Sequence, residues 1–180
     1  MNTIKLIILD VDGVMTDGKK YYDSTGKAAY KTFCDKDWTA IKLFKTMGIK
    51  VLLLSGDGFN KFIENARNIK IIINRDDKFH NDKSKYLEEI LNEYNLKKDE
   101  VCFVGDDVFD IGLMKRLKHS YCPNDSPKIV KEYSSVLNSN GGNNLIMELY
   151  ETLQKNDLID TLDYDSLIDG LYQEDRKELF

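Results

Sequence analysis

Hydrophobic positions along the chain alternate between two rhythms. Nearly unbroken apolar runs of strand length, Ile4–Val11, Val51–Leu54, Ile69–Ile73 and Val101–Val104, end at acids, serine or glycine, the pattern of strands buried on both faces. Between them apolar residues recur at helical spacing. Ile41, Phe44 and Met47 mark a helix that Asp37 can cap and Gly48 can stop, and Phe59–Ala66 marks a second. Lys83–Tyr94, with Leu87, Ile90 and Leu91 on one face, and Asp107–Leu117 follow. Ser120–Cys122, a Pro127–Tyr133 helix, Val136–Leu137 and an Asn143–Leu153 helix complete the series. Strands alternating with helices predict an α/β fold built on a doubly wound parallel sheet. One interruption stands out. Tyr21–Tyr22 and Ala28–Phe33 flank Asp23-Ser24-Thr25-Gly26, turn chemistry that predicts a small β-hairpin after the first strand.

Charge divides the chain. Of its net −5, residues 156–180 hold −6, with eight acids against Arg176 and Lys177, so residues 1–155 come to +1. The expectation is one domain over 1–155 and an acidic C-terminal tail over 156–180, partly helical because Leu158, Ile159, Leu162, Leu167, Ile168 and Leu171 can share a face. A chain of this length buries about 70 % of its unfolded surface and needs no staple. The acidic balance and the lack of a Lys/Arg block argue against a nucleic-acid partner. No run of 18 apolar residues suggests a membrane span, so the chain reads as cytoplasmic. Cys34, Cys102 and Cys122 have no metal-ligand spacing and read as buried free thiols.

In an open parallel sheet ligands bind beyond the carboxyl ends of the strands. Asp10-Val11-Asp12-Gly13, Ser55-Gly56 and Gly105-Asp106-Asp107 fall there, and Lys83 opens the helix after the third strand. Asp10 and Asp12 are two residues apart, about 7 Å on an extended chain. With Asp106 across the sheet, such carboxylates repel unless a cation joins them. Oxygen donors without His or Cys favour Mg²⁺, held by Asp10, Asp106 and a third oxygen such as the Asp12 carbonyl. Asp10 can then attack phosphorus while Asp12 serves as acid and base. Ser55 and the Gly56 amide can donate to phosphoryl oxygens, and Lys83 supplies positive charge. Asp107 and Asp110, one helical turn apart, are placed to orient Asp106, metal waters or Lys83.

These residues carry a resemblance. Asp10-Val11-Asp12-Gly13-Val14-Met15-Thr16-Asp17-Gly18, Ser55-Gly56, Asp82-Lys83 and Gly105-Asp106-Asp107-x-x-Asp110 resemble the four motifs of the haloacid dehalogenase superfamily. Asp12-Gly13-Val14-x-Thr16-Asp17-Gly18, Pro123-Asn124-Asp125-Ser126 and Gly141-Gly142 resemble the branch of 3-deoxy-D-manno-octulosonate 8-phosphate and sialic-acid-type nonulosonate 9-phosphate phosphatases. The likeness covers roughly residues 4 to 153. It implies a Rossmann-like sheet of haloacid dehalogenase type and a phosphoric monoester hydrolase, with Asp10 as the phosphorylated group and Asp12 as acid/base. Ser55 and Lys83 would hold the phosphate, and Asp10, Asp12 (through its carbonyl) and Asp106 would hold Mg²⁺. The gaps between the first three motifs, about 40 and 27 residues, leave no room for a cap. Capless members of this branch assemble as homotetramers in which a neighbour covers the site, which makes the Tyr21–Phe33 hairpin the candidate contact.

The expected function is hydrolysis of a small phosphorylated sugar, a keto-deoxy sugar acid phosphate of surface-glycan (lipopolysaccharide-type) synthesis. Alternatives are a phosphatase of another small phosphate, nucleotide or simple sugar phosphate, or a non-catalytic phospho-acceptor or oligomerisation module. Two positions depart from the family pattern. Asp57 stands where relatives commonly carry Arg, and Trp38 where they carry Gly; Trp38 is a candidate to stack on a sugar ring. Arg75, Lys78 and His80 form a candidate rim for a carboxylate.

Overall fold

The computed structural model describes residues 3–76 and 82–179. Six strands form one parallel sheet: β1 (Leu6–Leu9), β4 (Lys50–Ser55), β5 (Ile71–Ile73), β6 (Val101–Val104), β7 (His119–Cys122) and β8 (Ser135–Val136), in the order β5-β4-β1-β6-β7-β8. The separate hairpin is β2 (Tyr21–Tyr22) with β3 (Ala28–Tyr30), antiparallel with Tyr21 opposite Tyr30. The chain builds the sheet outward from β1 in one direction, then returns to its other side, so the order reverses at β1 and β6. A crevice opens at such a reversal.

The apolar runs explain the layers. Successive strand residues point to opposite faces, and both faces are covered. Ile7, Leu9 and Leu53 pack with Ile41 and Phe44 of α1 (Asp35–Thr46) and with Leu145, Leu149 and Leu153 of α6 (Leu145–Lys155). Leu6, Ile8, Leu52 and Phe103 pack with Leu87 and Ile90 of α3 (Leu87–Tyr94) and with Leu113 and Met114 of α4 (Ile111–Met114). The other helices are α2 (Phe62–Arg67), α5 (Lys128–Lys131) and α7 (Tyr164–Asp175). Register brings the strand ends to one edge. Leu9 pairs with both Leu53 and Val104, so Asp10 follows level with Leu54 and Gly105, and β4 runs on to Ser55.

Several elements differ from the sequence expectation, each for a local reason. Asp37 does not cap its own helix. It lies in the first turn of α1, fully buried, and accepts from the amides of Ile146 (2.8 Å) and Met147 (3.3 Å), capping α6 across the core. Burial pushes its carboxyl up despite those amides. The expected Asp107–Leu117 helix is a 3₁₀ turn at Val108–Asp110 followed by the short α4, because the Asp107 and Asp110 side chains cap the first turn. Lys83–Tyr86 is likewise 3₁₀, capped by Asp82, before α3 begins. Cys102 and Cys122 are buried, but Cys34 is half-buried at the N-cap of α1.

The acidic segment is not free-standing. Asp163 caps α7, accepting from the Ser166 amide at 3.0 Å, and α7 lies against α1. A Cβ on Gly170 would sit 2.0 Å from Thr46 Cγ2, so the missing side chain permits the close approach. The acids face basic residues of α1 and α2: Asp175 meets Lys42 at 2.5 Å, and Glu178 meets Arg67 at 2.8 Å. Among the described residues no helix is long and apolar enough to cross a membrane.

Candidate active site

An open cleft of about 200 Å³ lies at the reversal point, lined by Asp10, Asp12, Gly56, Asp57, Arg75, Lys83 and Asp107 among others. Asp10 leaves the end of β1, its amide bonded to the Val104 carbonyl of β6. Its Oδ1 accepts from the Val11 amide at 2.7 Å, and its Oδ2 faces Lys83 Nζ at 2.8 Å. Lys83 bridges to Asp110 Oδ1 at 2.7 Å, with all three side chains nearly or fully buried. Asp110 Oδ2 in turn accepts from the amides of Asp106 (3.0 Å) and Asp107 (3.1 Å). Gly105 makes room for it, since a Cβ there would lie 2.5 Å from Asp110 Cγ.

One oxygen each of Asp10, Asp106 and Asp110 lies within 4.8 Å of the others. Asp110 has both oxygens engaged by protein donors. Asp106 does not: its Oδ1 is buried without a hydrogen-bond partner. Asp106 presses on the loop after β1, where a Cβ on Gly13 would fall 2.0 Å from Asp106 Oδ2, and Gly13 also holds φ at +86°. Burial, helped by the charge of Asp110, pushes Asp10 up to about 7 against the pull of Lys83. Burial followed by the charges of Asp10 and Asp110 pushes Asp106 up to about 8. Lys83 moves upward too, because the two carboxylates outweigh its own burial. An oxygen-only donor set with an orphaned buried carboxylate oxygen fits a hard divalent cation.

Asp12 sits apart from that cluster. Its Oδ1 accepts from Lys31 Nζ at 2.5 Å and its Oδ2 from Asn60 Nδ2 at 3.0 Å. Asn60 Nδ2 also donates to Ser55 Oγ (2.9 Å), which accepts from the Asp57 amide as well (3.1 Å). With two donors on its oxygen, the Ser55 hydroxyl proton is left for another acceptor. Asp57 faces the cleft but is not an uncompensated charge. Lys20 (2.7 Å) and Lys31 (2.8 Å) both reach its Oδ2. Burial works to raise the Asp57 carboxyl, and those two lysines with the Phe59 amide outweigh it, holding the group well below the usual carboxylate range.

The sequence-predicted residues Asp10, Asp12, Gly56, Lys83 and Asp107 line the cleft, and Ser55, Asp106 and Asp110 support it from beneath. Asp107 spends one oxygen capping the Val108 amide. Trp38 is the correction. Its side chain is 4 % exposed, packed on Phe33 and under the Arg67 guanidinium 4.5 Å away, and it does not line the cleft. Trp38 extends the Ile41 and Phe44 stripe of α1 by one turn toward its N-terminus, on the face that packs into the core. Lys78 and His80 lie outside the described residues. Sequence reasoning missed Lys20, Lys31 and Asn60. Asn60 left a signal, a polar residue three positions before the buried Ile63 on one helical face, whereas the lysines left none.

Residues 31–118 match a family model described as haloacid dehalogenase-like hydrolase. Over those residues the chain is similar to haloacid dehalogenase-like hydrolases. Over 154 residues, 85 % of this chain and 84 % of the relative, it is 27 % identical to 3-deoxy-D-manno-octulosonate 8-phosphate phosphatase KdsC of Haemophilus influenzae. The cobalt-bound structure of the Haemophilus influenzae deoxy-D-mannose-octulosonate 8-phosphate phosphatase superposes with a TM-score of 0.77 at 26 % identity, covering 94 % of this chain and 97 % of that one. The fold is also shared with the Moraxella catarrhalis 3-deoxy-D-manno-octulosonate 8-phosphate phosphatase solved with magnesium, phosphate and KDO. There the TM-score is 0.76 at 22 % identity, over 93 % of each chain.

Proposed function

We propose that this phosphoric monoester hydrolase is a Mg²⁺-dependent phosphatase of a small phosphorylated sugar, a keto-deoxy sugar acid phosphate such as an octulosonate 8-phosphate or a nonulosonate 9-phosphate. The observation that carries the reading is the Asp10–Lys83–Asp110 bridge beside the unpartnered Asp106 oxygen, in a chain whose relatives bear that activity in their names. Asp10, Asp106 and the carbonyl of Asp12 would hold the cation. When bound, it supplies positive charge against the phosphoryl oxygens.

The chain's own residues do the rest. Lys83, fixed between two carboxylates, turns Asp10 toward the cleft and adds charge where the transferring phosphoryl group gathers it. A carboxylate oxygen of Asp10 bonds to phosphorus as the sugar oxygen leaves, and Asp12 gives that oxygen a proton. Asp12 then takes a proton from the water that attacks the aspartyl phosphate, freeing inorganic phosphate and restoring Asp10. The Ser55 hydroxyl and the Gly56 amide hold phosphoryl oxygens throughout.

The cleft is smaller than the 300–1,000 Å³ typical of small-molecule sites, which suits a phosphoryl group more than a whole eight- or nine-carbon sugar. A homotetramer in which a neighbour's hairpin closes the mouth supplies the remaining wall. Tyr21, Tyr22 and Tyr30 expose about half of their surface for that contact, and a monomeric mass in solution at assay concentration would exclude it.

The test is phosphate release from octulosonate, nonulosonate, hexose and nucleoside phosphates, with Mg²⁺ and with EDTA. Keto-deoxy sugar acid phosphates are expected first in kcat/KM, with activity lost in EDTA and restored by Mg²⁺. Nucleotides ranking first, or turnover that ignores EDTA, would contradict the reading.

A further inference from the structure

The hairpin β2–β3 is a two-stranded ribbon with both strands largely in solvent, an element with little stability of its own. It is nevertheless pinned at both feet. Lys20 precedes Tyr21 and Lys31 follows Tyr30, so the two lysines flank the last cross-strand pair, and both grip the same oxygen of Asp57. Lys20 stays partly in solvent, but the Lys31 side chain is completely buried. Its ammonium makes three hydrogen bonds, to Asp12 Oδ1, to Asp57 Oδ2 at 2.8 Å and to Asn60 Oδ1 at 2.9 Å, which uses all of its protons. Burying a lysine this deeply is costly unless every donor is matched.

Asp12 is the beneficiary of that arrangement. Lys31 and Asn60 each hold one of its oxygens, and Asn60 is itself braced by Lys31 and by Ser55. A carboxylate held from both sides by buried partners has one orientation, whereas the loop after β1 alone would leave it free to rotate.

We propose that Lys31 is a positioning residue for Asp12, aiming its carboxyl at the leaving-group oxygen from the foot of the hairpin. The inference rests on the reading of Asp12 as the group that protonates the leaving sugar. Displacement of a proton donor by an ångström costs on the order of 100-fold. The loss falls on substrates whose leaving group needs that proton.

The experiment compares, in the full chain with Mg²⁺, a sugar phosphate and p-nitrophenyl phosphate, whose leaving group departs without protonation. Lys31→Met is expected to lower kcat on the sugar phosphate about 100-fold with little change in KM, and to lower it far less on p-nitrophenyl phosphate. Asp57 keeps Lys20 and Asp12 keeps Asn60 in that variant, and Lys31→Gln gives the same readout if the Met variant does not fold. Asp57→Asn loosens the hairpin but leaves Lys31 on Asp12, and is expected to show no selectivity for the leaving group. Asp12→Asn should reproduce the Lys31→Met selectivity in stronger form. Selectivity in Asp12→Asn without selectivity at Lys31 overturns the inference alone. The same selectivity in Asp57→Asn also overturns it, since hairpin anchoring would then suffice. If Asp12→Asn itself lacks selectivity, the reading of Asp12 falls and the inference with it.

Discussion

The cleft edge and the tail interface are both made of acids facing lysines or arginine, yet they are opposite kinds of electrostatic structure. At the tail, Asp175 meets Lys42 with half of the acid's side chain in water, and Glu178 meets Arg67 with both side chains largely covered. The half-exposed Asp175–Lys42 pair contributes little, about 0–1 kcal/mol, and the packing of α7 on α1 holds the helix. At the cleft, Lys83, Asp10 and Asp110 are almost wholly buried, and burial first, then the neighbouring carboxylates, pushes Asp10 and Asp106 up to about 7 and 8. All of the chain's net negative charge lies in the tail, while its chemistry lies in a few acids whose charge is incompletely compensated. An unbalanced buried site costs stability and gains reactivity.

Removing Lys83 should break the contrast most severely. Lys83→Met leaves two buried carboxylates without their shared cation, which costs about 3 kcal/mol or more and lowers Tm by roughly 10 °C, together with loss of turnover. A calorimetric Tm within a degree or two of the parent would mean that the bridge is not the strained element described. Gly170→Val sharpens the other side. Its side chain collides with Thr46 and should lift α7 from α1, costing about 1–3 kcal/mol by overpacking, with kcat unchanged because no tail residue lines the cleft. Equal loss of stability and of turnover would join the two regions that the fold keeps apart.

Much of the sheet was legible because strands buried on both faces write themselves as apolar runs, and each run ended on the residue type that the cleft uses. Asp10, Ser55, Lys83 and Asp106 could therefore be placed together before any contact was known. Asp37 shows the limit. An acid before a helical pattern reads as a local cap, and only tertiary packing turned it toward α6 more than 100 residues away. Lys31 shows the same limit at the site, since nothing near a lysine after a strand-like Tyr distinguishes a buried triple donor from a solvated side chain. The two lysines that offset Asp57 were hidden for the same reason, because both arrive through the hairpin.

The central claim is that Asp10 carries the phosphoryl group, and trapping it tests this most directly. Borohydride added during steady-state turnover reduces an aspartyl phosphate to homoserine, and peptide mass spectrometry locates the change. The account predicts homoserine at position 10 alone, dependent on substrate and Mg²⁺, and none in an inactive Asp10→Asn variant. Reduction at another carboxylate, or Asp10→Asn turning over at an undiminished rate, would contradict it.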